Sequence, residues 1–266
     1  MPCGRRLAWV CNASTMFSSR HATTLAYGLN RALGPPTRPR GLAGKVHSYS
    51  LEPRSIVDKG SVDDLFAALV ISDDREAEGE GAQLPSPSDG LTLKFVTLGR
   101  GVQNYTCAGG YGAPASVGAI ADIFDITAFA EESANSSDFT GLPAAAAYLP
   151  LPGVQQLLDG RMPAGSHASV IGKHYFNAAG VPTFDLSAKS SLLASKLVQK
   201  ATAPGDADAG PSGTGAVPWL KLDDAGGSIG LKEVYRVYTA GGNAPASCSA
   251  EGILSVEYSA MYWFYG

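Results

Sequence analysis

Ile253-Leu254-Ser255-Val256-Glu257-Tyr258-Ser259-Ala260-Met261-Tyr262-Trp263-Phe264-Tyr265 is the stretch on which the fold turns. Leu254, Val256, Tyr258, Ala260, Tyr262 and Phe264 recur at a strict period of two, with Ser255, Glu257 and Ser259 on the other side, which is the pattern of a half-buried strand. Just upstream, Leu231-Lys232-Glu233-Val234-Tyr235-Arg236-Val237-Tyr238-Thr239 is rich in β-branched and aromatic residues. Between the two runs stand Gly241, Gly242, Pro245 and Cys248, residues that bend or tether a chain. The pair reads as a β-hairpin or two neighbouring strands.

Working back toward the N-terminus, the same rhythm recurs. Leu91 to Leu98 and Gln103 to Cys107 read as two strands separated by Gly99 and Gly101, and Val117 to Asp125 as a third. Val170 to Phe176, Gly180 to Leu186 and Val217 to Leu222 follow, while Leu192 to Ala201 fits either a strand or a helix. Residues 130 to 165, with Ala144 to Ala147 and several prolines, form a poorly patterned insertion, and Ala203 to Gly215 reads as a flexible loop. Many short strands without a repeating helix predict an all-β or mainly β fold, an antiparallel β-sandwich or barrel with long loop insertions.

Residues 84–266 are expected to form this β-rich domain, and residues 1–83 a weakly structured extension. Its first 45 residues hold six Arg and one Lys but no Asp or Glu. Organelle presequence, secretory leader and incorrectly joined exon are three open readings of that segment. Ser61-Val62-Asp63-Asp64 before Leu65, Phe66, Leu69 and Val70 predicts one short helix, and the charged, Pro-containing run that follows marks the boundary. Beyond residue 45, 13 basic residues face 24 acidic ones. That balance argues against a nucleic-acid partner. No apolar run approaches the roughly 20 residues of a membrane-spanning helix.

Of four cysteines, Cys107 and Cys248 lie in the β-rich part beside turn residues and are the expected disulfide. Two buried free thiols are the other reading.

Several phrases then resemble, in order, a domain-of-unknown-function family of mostly secreted proteins, common in fungi and present in bacteria. They are Leu98 to Cys107 (LGRGVQNYTC), Gly172 to Phe176 (GKHYF), Gly180 to Leu186 (GVPTFDL), Val217 to Leu220 (VPWL), Val234 to Val237 (VYRV), Thr239 to Gly242 (TAGG) and Tyr262 to Tyr265 (YWFY). The resemblance spans roughly residues 84 to 265. It implies a β-rich, extracellular or cell-surface protein and transfers no catalytic residues, although the family usually begins with a secretory signal and this leader departs from that. Some fungal members carry the automatic label malate dehydrogenase.

The residues must judge that label. Gly110-x-Gly112-x-x-Ala115 satisfies a loose dinucleotide fingerprint, but such a site needs a βαβ unit, so a glycine-rich turn is expected and no cofactor. Gly226-Gly227-Ser228-Ile229-Gly230 spells G-x-S-x-G, yet no histidine follows His174, so it too reads as a turn. His167, His174 and Asp185 lack the spacing of a metal set, and none is expected. His174, Tyr175 and Asp185 are the candidate catalytic residues for a hydrolytic or metal-dependent alternative. The tyrosines 235, 238, 262 and 265 with Trp263 are candidates for stacking on a cell-wall or surface carbohydrate, and the exposure of Trp263 decides that point. Asn135 and Asn104 are the sequons a secreted chain would glycosylate, beside Asn12 in the leader. A binding or structural role at the cell exterior is expected rather than catalysis.

Overall fold

The computed structural model describes residues 84–266 except Gly110. The helix expected at residues 61–70, the Asn12 sequon and the leader readings therefore lie outside the described residues. Eight antiparallel strands, each hydrogen-bonded to the next in chain order and the eighth to the first, form a closed barrel. They are β1 (Leu93–Cys107), β2 (Ala115–Asp125), β3 (Ser169–Phe176), β4 (Pro182–Leu186), β5 (Ser191–Ala201), β6 (Trp219–Asp224), β7 (Glu233–Gly241) and β8 (Gly252–Tyr265). Of the two expected architectures the structure is the barrel, and closure leaves no unpaired sheet edge. The segment 192–201 is strand, not helix.

Sequence alternation sorts the side chains as expected. Tyr258, Ala260, Tyr262 and Phe264 of β8 enter the barrel and meet Ile123, Phe184, Leu186, Leu193 and Val234. The opposite parity, Met261, Trp263 and Tyr265, is buried as well. Four short helices between β2 and β3 cover it: α1 (Thr127–Ser133), α2 (Ser137–Thr140), α3 (Leu142–Ala147) and α4 (Leu151–Asp159). They form a second core on the outside of the barrel with Val96, Leu98, Tyr235 and Val237. The stretch read as patternless is thus a helical layer. Its helices are too short for a period to declare itself, and local devices start them instead. Ser136 caps α2 by accepting from Phe139 N at 3.1 Å. Prolines stand in the first turns of α3 and α4.

Arg100 fastens this layer to the barrel. Projecting from the outer face of β1, its Nε donates to the carbonyls of Ala146 (3.1 Å) and Leu149 (3.2 Å), and its Nη2 pairs with Glu257 at 2.9 Å. A cation on the carbonyls that end a helix satisfies acceptors left without intrahelical donors.

The expected break at Gly99 and Gly101 does not occur. β1 runs unbroken through both, with its register shifting only between Leu93 and Phe95 toward β8 and between Asn104 and Tyr105 toward β2. Both glycines face inward, where a Cβ on Gly99 would stand 2.5 Å from the Tyr262 ring and one on Gly101 1.9 Å from the Ile120 carbonyl oxygen. They are there for clearance, not for a turn.

Cys107, at the end of β1, is bonded to Cys248 in the β7–β8 connection, with Cα atoms 5.8 Å apart and a sequence separation of 141. The loop 202–216, of which Ala203 to Gly215 was expected to be flexible, is held against the same end. Asp208 carbonyl accepts from Gly241 N at 2.9 Å, and Gly210 (φ +71°) approaches so closely that its Cβ would lie 2.4 Å from the Gly241 Cα. Among the described residues no helix is long and apolar enough to cross a membrane.

Candidate functional site

His174, Tyr175 and Asp185 do not converge. In β3 and β4 adjacent side chains alternate, and the His174 ring stacks inside the barrel on Phe184 at 4.2 Å between centroids. Tyr175 and Asp185 lie at positions of the opposite parity, on the outer side and half-buried. The strand register therefore puts His174 on the inner side of the sheet and Tyr175 and Asp185 on the outer side. His174 Nδ1 sits 3.0 Å from the Thr183 carbonyl oxygen, which can only accept, so Nδ1 carries the proton. Burial drives the ring's pKa down to about 4, against the pull of that hydrogen bond, and the nearby Arg236 charge pushes the same way as burial. The ring is neutral at physiological pH. Among the described residues no group of three or more His, Cys, Asp or Glu is placed to hold a metal ion.

Sequence reasoning missed the residues that surround His174. Arg236 of β7 projects into the barrel from the same parity as Val234, and its Nε and Nη2 donate to the Pro218 carbonyl at 3.2 and 2.8 Å. Tyr258 and Tyr262 share a hydrogen bond at 3.0 Å, and Tyr105 donates to the Gly242 carbonyl at 2.6 Å. Gln103 completes the group from β1. The signal was available: Arg236 occupies an inward position of a strand whose neighbours are apolar.

Neither fingerprint-like motif leads from a strand into a helix among the described residues. From Ala115 the chain after the first is strand β2, not a helix. Ser228 of the second lies between β6 and β7 and donates to Asp224 at 2.6 Å. The described residues form an antiparallel barrel without a βαβ crossover, so the architecture a dinucleotide site requires is missing from them.

The aromatics named as a sugar platform do not share one exposed surface. Trp263 points outward as its parity demands, but Phe139 of the helical layer packs edge-on against it at 6.2 Å and the residue is 1% exposed. Tyr262 is inside the barrel, and Tyr235 and Tyr265 are under the outer core. Tyr238 alone of that set reaches a cavity.

That cavity is a cleft of about 400 Å³ between α2–α3, the 202–216 loop and β7. One wall is an aromatic pair, Trp219 of β6 and Tyr238 of β7, with ring centroids 5.5 Å apart. Tyr238 adopts φ +48°, and the β7–β8 register shifts between Val237 and Ala240. This bulge breaks the alternation and re-aims the ring. Burial pushes the Tyr238 hydroxyl up to about 12, so it stays protonated. Across the cleft stand Asp206 and Asp208, with Thr140 and Ser137 hydroxyls on the helical side. Asp208 Oδ1 is fixed by Tyr148 Oη and Gly210 N, each at 2.8 Å. The Trp219 indole Nε1 is buried and has no acceptor.

Of the sequons, Asn135 is exposed in the turn between α1 and α2, and Asn104 lies on the outer face of β1 accepting from Ser255 Oγ at 2.7 Å.

A family model described as protein of unknown function, DUF3455, matches residues 87–266. No curated protein and no solved structure matches the chain.

Proposed function

The chain belongs to the DUF3455 family of proteins of unknown function, and on that premise we propose that it is an exported β-barrel that binds carbohydrate in the Trp219–Tyr238 cleft. The observation that carries this reading is the aromatic pair facing two carboxylates across a cavity of about 400 Å³. Aromatic faces pack on the C–H faces of sugars, and carboxylates and hydroxyls accept and share sugar O–H groups. The volume lies within the roughly 300–1,000 Å³ of small-ligand sites. Export is supported by the disulfide, since such bonds persist in oxidising compartments.

Calorimetric titration of the secreted full chain with soluble cell-wall oligosaccharides tests the reading. At least one glycan is expected to bind saturably, with affinity lost by tenfold or more in Trp219→Ala and Tyr238→Ala variants that keep the wild-type unfolding midpoint. Binding that ignores both substitutions, or no binding across glucans, chitin fragments and mannans, would contradict it.

A further inference from the structure

We propose that the Trp219–Tyr238 cleft selects sugars that carry a free, protonated amine, and that Asp206 and Asp208 make the choice. That selectivity rests on the carbohydrate reading of the same cleft and narrows it to one chemical class, the cationic amino sugars.

The charge of the cleft is one-sided. Among the described residues that line it, Asp206 and Asp208 are charged, and no Lys, Arg or His stands with them. The ion pairs of the described residues engage Asp122, Asp125, Asp224, Glu233 and Glu257, and neither cleft carboxylate is in that set. Asp208 is held instead by two neutral donors, Tyr148 Oη and Gly210 N, each 2.8 Å from its Oδ1. They orient the carboxylate and leave its charge in place. The cleft therefore offers two negative charges to whatever enters it. The chain beyond residue 45 adds to this, with 24 acidic residues against 13 basic ones, a balance that draws cations toward the surface.

The aromatic wall favours the same sign of charge. The Trp219 and Tyr238 rings, both half-buried, have centroids 5.5 Å apart and planes inclined at 59°. Aromatic faces are the negative side of the ring quadrupole, and an ammonium group near them is attracted. A hexosamine satisfies both walls at once, with C–H faces for the rings and an ammonium for the carboxylates. Each N–H to a carboxylate is then a charge-assisted hydrogen bond, roughly twice as strong as a neutral one. The Ser137 and Thr140 hydroxyls serve the O–H groups of any hexose, so they do not discriminate. N-acetylation removes the ammonium and leaves the stacking, whereas a uronate sets a like charge against Asp206 and Asp208, which rejects it.

The test is calorimetric titration of the secreted, disulfide-intact full chain with tetrasaccharides of glucosamine, N-acetylglucosamine and galacturonate, and with tetralysine as a cation without a sugar ring. The glucosamine oligomer is expected to bind at least tenfold more tightly than its N-acetylated counterpart, and galacturonate not to bind. Raising the ionic strength should weaken glucosamine and reduce that ratio. Asp206→Asn combined with Asp208→Asn keeps the Oδ1 acceptor for Tyr148 and Gly210, and it should bring the ratio close to one. The wild-type ratio and its salt dependence test the proposal even if the double variant does not fold. With N-acetylglucosamine binding retained, equal affinities for the two oligomers, a ratio indifferent to salt, or a ratio that survives the double substitution would overturn the selectivity and leave the carbohydrate reading standing. Tetralysine binding as tightly as glucosamine would assign the cleft to basic peptides and overturn the proposal. No binding by any of the sugars would overturn the carbohydrate reading with it.

Discussion

Lys221 and Glu233 form an ion pair at 3.3 Å on the outer face of β6 and β7, with side chains 6% and 4% exposed. The segment at residues 84–90 lies across it: Lys221 Nζ also donates to the Ser86 carbonyl at 3.0 Å, and Glu233 accepts from the Ser88 hydroxyl and backbone N–H. Removing one partner strands the other charge. Glu233→Gln should therefore cost about 3–5 kcal/mol of unfolding free energy, measured by urea denaturation, and Lys221→Met combined with Glu233→Leu should recover most of it. Single and double variants of equal stability would contradict this reading. His174 makes the second residue-scale prediction. Its folded pKa is about 4 and its unfolded value about 6.5, so between these values the unfolded chain holds more protons. Stability is complete above pH 6.5 and declines as pH falls toward 4, by up to about 3 kcal/mol from this ring. The groups facing the ring are Arg236, Tyr262 and Phe184. Asp125, where burial is outweighed by the bonds from Lys189 and Thr127 that hold its pKa low, adds a slope of the same sign in every variant. His174→Asn should accordingly narrow the gap between urea midpoints at pH 7.5 and pH 4.5, and an unchanged gap would refute the assignment.

At the scale of elements, the 202–216 loop is a structural wall of the cleft and depends on contact between two glycines. Gly210→Ala would force a Cβ to within 2.4 Å of the Gly241 Cα at φ +71°. The expected result is a loss of about 1–3 kcal/mol with weakened glycan binding, read from urea melts and calorimetry on the same preparation. Gly213→Ala, where a Cβ meets nothing within 4 Å, pays the φ cost alone and should be milder. Elements also show what was legible in the sequence. Period-two alternation located the inward face of β8 and the strands from Val117 onward except 192–201, which fitted a helix as well, because one buried face imposes that period. It split β1 at Gly99, since a glycine that makes room for Tyr262 is locally identical to one that makes a turn. It missed the helices at 127–159, each at most nine residues, and with them the cover over Trp263. The cleft was illegible for a related reason: Trp219 and Tyr238 meet through a bulge, and a bulge is a departure from periodicity.

At the scale of the molecule, eight strands in chain order, a disulfide at one end and a helical layer on one side divide the labour. The barrel interior is the rigid core, the outer layer shapes the cleft, and the bond between Cys107 and Cys248 ties the first strand to the last connection. In the chain-entropy account, closing 141 residues stabilises the fold by about 4–5 kcal/mol. Cys107→Ala with Cys248→Ala, or reduction under mild denaturant, should lower the unfolding free energy read from urea melts by that amount, and a midpoint indifferent to reductant would contradict the role given to the bond. The central claim is that the functional face is the outer cleft at Trp219 and Tyr238. The most direct measurement is acrylamide quenching of tryptophan fluorescence with and without saturating oligosaccharide in wild type, Trp219→Phe and Trp263→Phe. The account predicts that glycan shields the emission in wild type and Trp263→Phe but not in Trp219→Phe. Shielding that survives loss of Trp219, or none in any protein, would contradict it.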